Sequence, residues 1–316
     1  MRIFMMGTGG YAVPTFRAVH ASAHNVAAVF TQPDVALAGR KKTSQNPMRE
    51  AAGELGVEVF NPHDADSAEA HRLIQSQQPD LLVVCDYGQI LAAETLALAA
   101  DGGFNLHASL LPKYRGAAPI NWAIEHGETE TGNSVIHMTP QIDGGPCVAQ
   151  ERILIGADET AEELEVRMAH SGAQLVLQAI DDLEADRLQP IPQDASQVSR
   201  APKLKKADGQ IDWSRTAQQI FNQVRAMRPW PKTFSNWIRP GREPLRLIFE
   251  IVRVGESISD APPGEVVDVT GDRISIATGD GCLLVEQLQP AGKRVLSAAE
   301  FLRGYPLQLG ERFGDR

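Results

Sequence analysis

Short apolar runs separated by amphipathic stretches set the pattern of the first half of the chain. Arg2 to Met6, Val26 to Phe30, VEVF ending at Phe60, and LLVVC from Leu81 read as strands, the last apolar throughout and so buried on both faces. Between them, a segment opening near Pro14, then MREAAGELG and AEAHRLIQSQQ, carry helical spacing and are bounded by Gly or Pro. Strands alternating with helices predict a parallel sheet covered on both sides. Further on, Thr160 and Glu163 form a capping box, and Leu164, Met168, Leu175, Ala179 and Leu183 repeat along one long helix that should close the first domain.

The pattern then changes. Residues 187–206, RLQPIPQDASQVSRAPKLKK, lack apolar periodicity and read as an extended linker. A helix follows with Ile220, Val224 and Met227 on one face, and Trp213 and Trp230 are expected to be packing anchors. From Thr233 on, LRLIFEIVRV, GEVVDV, RISIAT and CLLVEQLQP are short runs divided by PG, GD and DG turns, as expected of a small OB-like barrel. The fold expected is therefore α/β: a Rossmann-like, mostly parallel sheet with helices on both faces over residues 1–186, a linker over 187–206, and a smaller OB-like β-barrel over 207–316.

Composition adds limits. With 43% hydrophobic residues and 316 positions the chain can bury two cores. Cys85, Cys147 and Cys282 are scattered and form no CxxC pair, which speaks against disulfides and zinc; no metal is expected. No apolar run is long enough to cross a membrane, and MRIFMMG reads as a strand, so the expected place is the cytoplasm. The net charge of −10 is uneven: of 30 Lys+Arg and 40 Asp+Glu, residues 206–316 hold 15 and 14, leaving 15 and 26 for the first 205. A near-neutral second domain can present a basic face to nucleic acid.

Candidate chemistry gathers in Phe104–Ile120, FNLHASLLPKYRGAAPI. Asn105 and His107 lie two apart on a strand and share a face, so an amide that can donate to an oxyanion stands beside an imidazole that can handle a proton. The pair also reads blandly, as a turn residue and a satisfied strand-end histidine. Asp143, after the strand-like run 134–138 and before a Gly pair, would supply the carboxylate that fixes a histidine's tautomer. Arg115 reads as part of a held loop over the site. Trp122 is expected in the core, and His126 and His137 are expected to be structural or surface residues. A second pattern, Gly7, Gly9 and Ala12 with Asp34, satisfies the dinucleotide fingerprint and supports a competing reading as a nicotinamide-dependent oxidoreductase. A noncatalytic RNA-binding module is a third.

The SLLPKYRGAAPI run, Asn105-x-His107 before it and Asp143-Gly144 after it resemble the folate-dependent formyltransferases, and DGQIDWS, RPWP, ATGDG and LQPAGKR extend the resemblance over nearly the whole chain. The resemblance implies catalytic roles for Asn105, His107 and Asp143. It implies 10-formyltetrahydrofolate as formyl donor, held by Tyr87, Gly88, Gln89, Ile90 and Leu91 and by Ser109, Leu110, Leu111 and Pro112. It implies methionyl initiator tRNA as partner and acceptor, bound by Arg40, Lys41 and Lys42 in the loop after FTQPD and by Lys203, Lys205 and Lys206, with Arg200 nearby, on a chain acting as a monomer. Acceptors of related enzymes, a phosphoribosyl amine or a nucleotide sugar, remain alternatives. Two departures stand out: Gly9 and Gly10 occupy positions where the family usually has Pro and an acidic residue, and Asp86 replaces a small apolar residue.

Overall fold

The computed structural model describes residues 1–34, 46–239, 241–256 and 260–314. The chain divides into two compact units. Unit 1 comprises Met1–Pro119, Glu130–Leu154 and Glu163–Pro202; unit 2 comprises Ile120–Thr129, Ile155–Glu162 and Lys203–Arg316.

Unit 1 is built on seven strands: β1 (Arg2–Met6), β2 (Asn25–Phe30), β3 (Val59–Phe60), β4 (Leu81–Val84), β5 (Gly103–His107), and, after a two-residue strand β6 (Arg115–Gly116) off this sheet, β7 (Glu130–His137) and β8 (Cys147–Leu154). They lie in the order β3-β2-β1-β4-β5-β7-β8. The first five are parallel, while β7 and β8 run antiparallel, so the sheet is mixed on one side. The apolar runs of β1 and β4 fill the middle, where all side chains from Ile3 to Met6 and from Leu81 to Val83 are excluded from solvent. This is the all-apolar signature of strands covered on both faces. Helices Ala12–His20, Pro47–Glu54, Ala68–Gln77 and Ala161–Glu184 provide the cover. Ser67 caps the third of them by accepting from the Ala70 amide, and Asn46 caps the second through the Arg49 amide. Strand order reverses between β1 and β4, and ligands of such sheets sit beyond the strand ends at that crevice.

The stretch expected as a linker does more than connect. Ile191 exchanges backbone hydrogen bonds with Cys147, and β9 (Arg200–Ala201) pairs in parallel with β6. Residues 187–202 therefore form a strap belonging to unit 1.

In unit 2, β10 (Thr233–Ile238), β11 (Leu245–Gly255), β12 (Val266–Asp268), β13 (Ile274–Ala277), β14 (Cys282–Pro290), β15 (Leu296–Ser297) and β16 (Arg312–Gly314) make an antiparallel sheet in the order β12-β13-β14-β11-β10-β16, with β15 on β14. A bridge between Glu265 and Arg312 brings β16 back to the start of β12, so the sheet nearly closes into a barrel. Its core holds Trp213, Trp237, Phe249, Phe301 and Phe313 in edge and tilted contacts. The helix Ala217–Ala226 packs Ile220 and Val224 onto it, as its periodicity predicts. Trp213 is the expected anchor, its indole donating to Ser235 Oγ. Trp230 is not an anchor: it lies in the turn past this helix and is 52% exposed. Segments of unit 2 far apart in sequence are tied together, since Arg225 donates to the carbonyls of Gly156 and Glu159, Asn121 to that of Ala226, and Arg215 to Glu125.

Candidate active site

Asn105 and His107 project from the same face of β5, and Asp143 reaches them from the turn between β7 and β8. Asp143 adopts a φ of +48°, a region that residues with a Cβ rarely enter. That backbone aims its carboxylate three ways. Oδ2 accepts from the Gly116 amide at 2.9 Å; Oδ1 lies 3.4 Å from Asn105 Nδ2 and 3.6 Å from His107 Nδ1. The three expected residues do converge.

His107 is buried, and its Nε2 meets the Tyr114 carbonyl at 2.9 Å. A carbonyl only accepts, so Nε2 carries the proton and Nδ1 is left facing Asp143 and the site. The backbone oxygen thus orients the ring at one end, and the carboxylate, 3.6 Å from the other, pairs with it only when Nδ1 also carries a proton. Tyr114 presents that oxygen from a left-handed conformation (φ +62°). Gly116 follows at φ +125°, where a Cβ would stand 2.5 Å from the Ala201 carbonyl oxygen. Only glycine lets the loop lie this close to β9.

Beside Asn105 and Asp143 opens a cleft lined by Val84, Tyr87–Leu91, Ile136 and Met138–Ile142. Its walls mix apolar side chains with Gln89, Thr139 and Gln141, and Ile90 and Ile142 are left 63% and 54% exposed. Tyr87, Gly88, Gln89, Ile90 and Leu91 thus share one cleft with Asn105 and Asp143. Thr8 Oγ1 and Gln32 Nε2 both donate to the Tyr87 carbonyl, and Gln89 is tied to Ala65 and His63, which fixes the segment's path. Ser109, Leu110, Leu111 and Pro112 do not line this cleft. Ser109 is buried and donates to the Lys113 carbonyl, while Leu111 and Pro112 border a separate cavity with Cys147 and Gln193. Sequence pattern does not mark residues 138–142 as part of a cleft; Ile142, an apolar residue beside the Asp-Gly pair, is the signal there.

Arg40, Lys41 and Lys42 lie outside the described residues. Lys203, Lys205 and Lys206 are exposed in unit 2. Arg115 is held by Gln193, and His137 meets the Asp101 carbonyl and packs edge-on against Phe104, a structural role as expected.

The dinucleotide reading loses its two supports. Asp34 is paired with Arg49 at 2.5 Å, and the Asp86 carboxylate stands over Gly9, putting negative charge where a diphosphate would approach. Gly9 and Asp86 are in fact one feature: a Cβ at position 9 would fall 1.8 Å from Asp86 Oδ2. Asp86, at φ +47°, fills the space that a side chain at position 9 would need, whereas among the described residues a Cβ at Gly10 would meet nothing within 4 Å. Gly9→Ala is accordingly expected to cost more in the natural background than beside Asp86→Ala, with a coupling of about 0.5–3 kcal/mol in a double-mutant cycle of chemical unfolding.

Asp86 is exposed by surface area, yet the protein packed around its carboxylate desolvates the charge and Glu165 repels it, raising its carboxyl from 3.8 to about 6. A raised acid favours the protonated folded form. The stability it contributes is full below about pH 4 and is lost as pH rises through about 6. Asp86→Asn should therefore raise the melting temperature at pH 8 and change it little at pH 4, solvent screening limiting the gain. An equal gain at both values would rule out the charge as its source.

A doubly wound sheet whose crevice carries an amide, an imidazole and a carboxylate beside a cleft, followed by a small barrel, defines a group-transfer enzyme. The chain belongs to the formyl transferase family: residues 1–180 match its Formyl transferase model and residues 203–306 the model for its C-terminal domain. It is 41% identical over 324 aligned residues to the methionyl-tRNA formyltransferase of Rhodopirellula baltica, covering 99% of this chain and 96% of the relative. It is 39% identical to the one from Moorella thermoacetica, with 99% of each covered. Among solved structures, an N-formyltransferase from Helicobacter canadensis in complex with folinic acid and dTDP-3-aminofucose shares the fold at a TM-score of 0.68 and 17% identity, over 91% of this chain and 98% of that one.

Proposed function

We propose that the protein transfers the formyl group of 10-formyltetrahydrofolate to the free amino group of methionyl initiator tRNA, in the cytoplasm, for the start of translation. The observation that carries the chemistry is the convergence of Asn105, His107 and Asp143 at one edge of the cleft; full-length relatives of that name support the acceptor. The cleft suits the donor. Its apolar side chains, Val84, Ile90, Leu91, Ile136 and Ile142 among them, can pack against a flat heteroaromatic ring, and the backbone of Tyr87–Leu91 offers polar groups to the ring edge.

The acceptor amine attacks the formyl carbon as the free base, and the carbonyl electrons move onto oxygen. Asn105 Nδ2 donates to that oxyanion, and His107, protonated at Nδ1, adds a second donor balanced by Asp143. Collapse of the adduct breaks the bond to the folate nitrogen. The proton lost by the amine passes by way of Asp143 to that nitrogen, so the product is an N-formyl amide and the folate leaves neutral at that position. Lys203, Lys205 and Lys206, with Arg40, Lys41 and Lys42, contribute phosphate contacts that carry little sequence information.

The test is transfer of labelled formyl from the donor to methionyl initiator tRNA, with methionyl elongator tRNA and an amino sugar nucleotide in parallel. Label on the initiator alone is the expected result. Label on the sugar amine and on neither tRNA would sink the acceptor and keep the chemistry.

A further inference from the structure

We propose that Gln193, on the strap that follows the catalytic sheet, is a positioning residue for this reaction: its one side-chain amide holds the Asp143 turn and the Arg115 guanidinium in register. The proposal rests on the function given above. Gln193 Nε2 donates to the carbonyls of Asp143 and Gly145, both at 2.7 Å. Its Oε1 accepts from Arg115 Nε at 3.1 Å and from Arg115 Nη2 at 2.6 Å.

A primary amide has two N–H donors and two lone pairs on oxygen, and here all four are used. The orientation is forced. A guanidinium has nothing to accept with and a carbonyl nothing to donate, so the flipped amide would lose every contact. What the amide holds is a turn closed by a single backbone bond of its own, from the Gly144 amide to the Gln141 carbonyl at 3.1 Å, in which Asp143 sits at φ +48° while its carboxylate serves Asn105, His107 and the Gly116 amide. Fixing the carbonyls on either side of Gly144 removes the rotation that would turn the carboxylate away.

The strap is itself fixed around Gln193. Before it, Ile191 is paired with Cys147. After it, Ser199 accepts from the Arg115 amide through its carbonyl and from the Tyr114 amide through its hydroxyl, and Gly116 pairs with Ala201. The residues that orient His107 and receive Asp143 are thus braced from the same strap. Gln193 does not line the cleft that holds Asn105, so it acts through Asp143 and Arg115 and not on the donor.

Two variants of the full chain separate its functions. Gln193→Glu keeps the contact to Arg115 as an ion pair but sets a carboxylate oxygen against two carbonyls. Gln193→Met keeps the length and removes all four bonds. Both are expected to lower kcat for formyl transfer by about 10–100-fold, the scale on which losing the hydrogen-bond partner that orients a metal ligand acts. KM for the donor and for the acceptor should stay within about twofold, since neither is touched. Folded fraction and donor binding, measured in the same samples, should match the natural protein.

A Gln193→Glu variant with natural kcat would overturn the proposal, because only the hold on Arg115 would then matter. So would a loss found wholly in KM or in folded fraction. Donor hydrolysis without acceptor, run alongside, reports the site independently of tRNA. If the natural protein hydrolyses the donor but formylates no tRNA, the acceptor assignment fails while the variant comparison still stands. If it does neither, the reaction assigned to the site fails and the positioning role with it.

Discussion

Asp143→Ala is expected to lower kcat by about three to four orders of magnitude, the scale on which losing the carboxylate that orients a catalytic histidine acts in other enzymes. One carboxylate here faces three partners, so its removal strips the Asn105 amide and the His107 imidazole of their common neighbour and leaves the Gly116 amide without its acceptor. The last of these also loosens the loop whose Tyr114 carbonyl orients the ring. Asp143→Asn divides the effect, since an amide oxygen can still accept from Gly116 but brings no charge to balance protonated His107. Single-turnover transfer at saturating donor and acceptor is the measurement. A loss below tenfold in both variants would remove Asp143 from the reaction.

Asn105→Ala should cost about 2.7–4 kcal/mol of barrier, or two to three orders of magnitude in turnover, the usual effect of deleting one oxyanion donor. Asn105 Nδ2 carries two hydrogens, one directed toward Asp143 at 3.4 Å and one left for the developing charge. Because Asn105 also borders the cleft, donor affinity needs separate titration. A variant whose loss lies in donor binding, with turnover intact, would make Asn105 a binding residue and leave the oxyanion to His107.

The sheet and the central pair were legible because their signals are local. β1 and β4 announce themselves as all-apolar runs, and the two-residue period of a strand puts Asn105 and His107 on one face without knowledge of anything else. Asp143 was legible as a carboxylate before a Gly pair, but not its left-handed backbone. Gln193 could not be read. Its partners are two carbonyls and a guanidinium from distant parts of the chain, and carbonyls leave no mark on sequence. The same holds for Tyr114, which serves His107 through its backbone. Gly9 and Asp86 each look like isolated departures in sequence, and only their approach in space makes them one substitution. Leu111 and Pro112 lie close to Asn105 along the chain, yet the turn after β5 carries them to a different cavity. Trp230 shows the limit of residue type as a guide, since a large aromatic there ends up half in solvent.

The threading of the two units bears on how such a protein can be inherited and recombined. The chain passes from one unit to the other at residues 119/120, 129/130, 154/155, 162/163 and 202/203. A single crossover at 202/203 that supplied a foreign barrel would keep Asn121, Glu125, Gly156 and Glu159 from the old gene. It would discard Arg215, Arg225 and Ala226, to which those residues are bonded. Exchange of the barrel therefore requires matched changes inside the catalytic half, and the two halves should travel through lineages as a co-adapted pair and not as interchangeable modules.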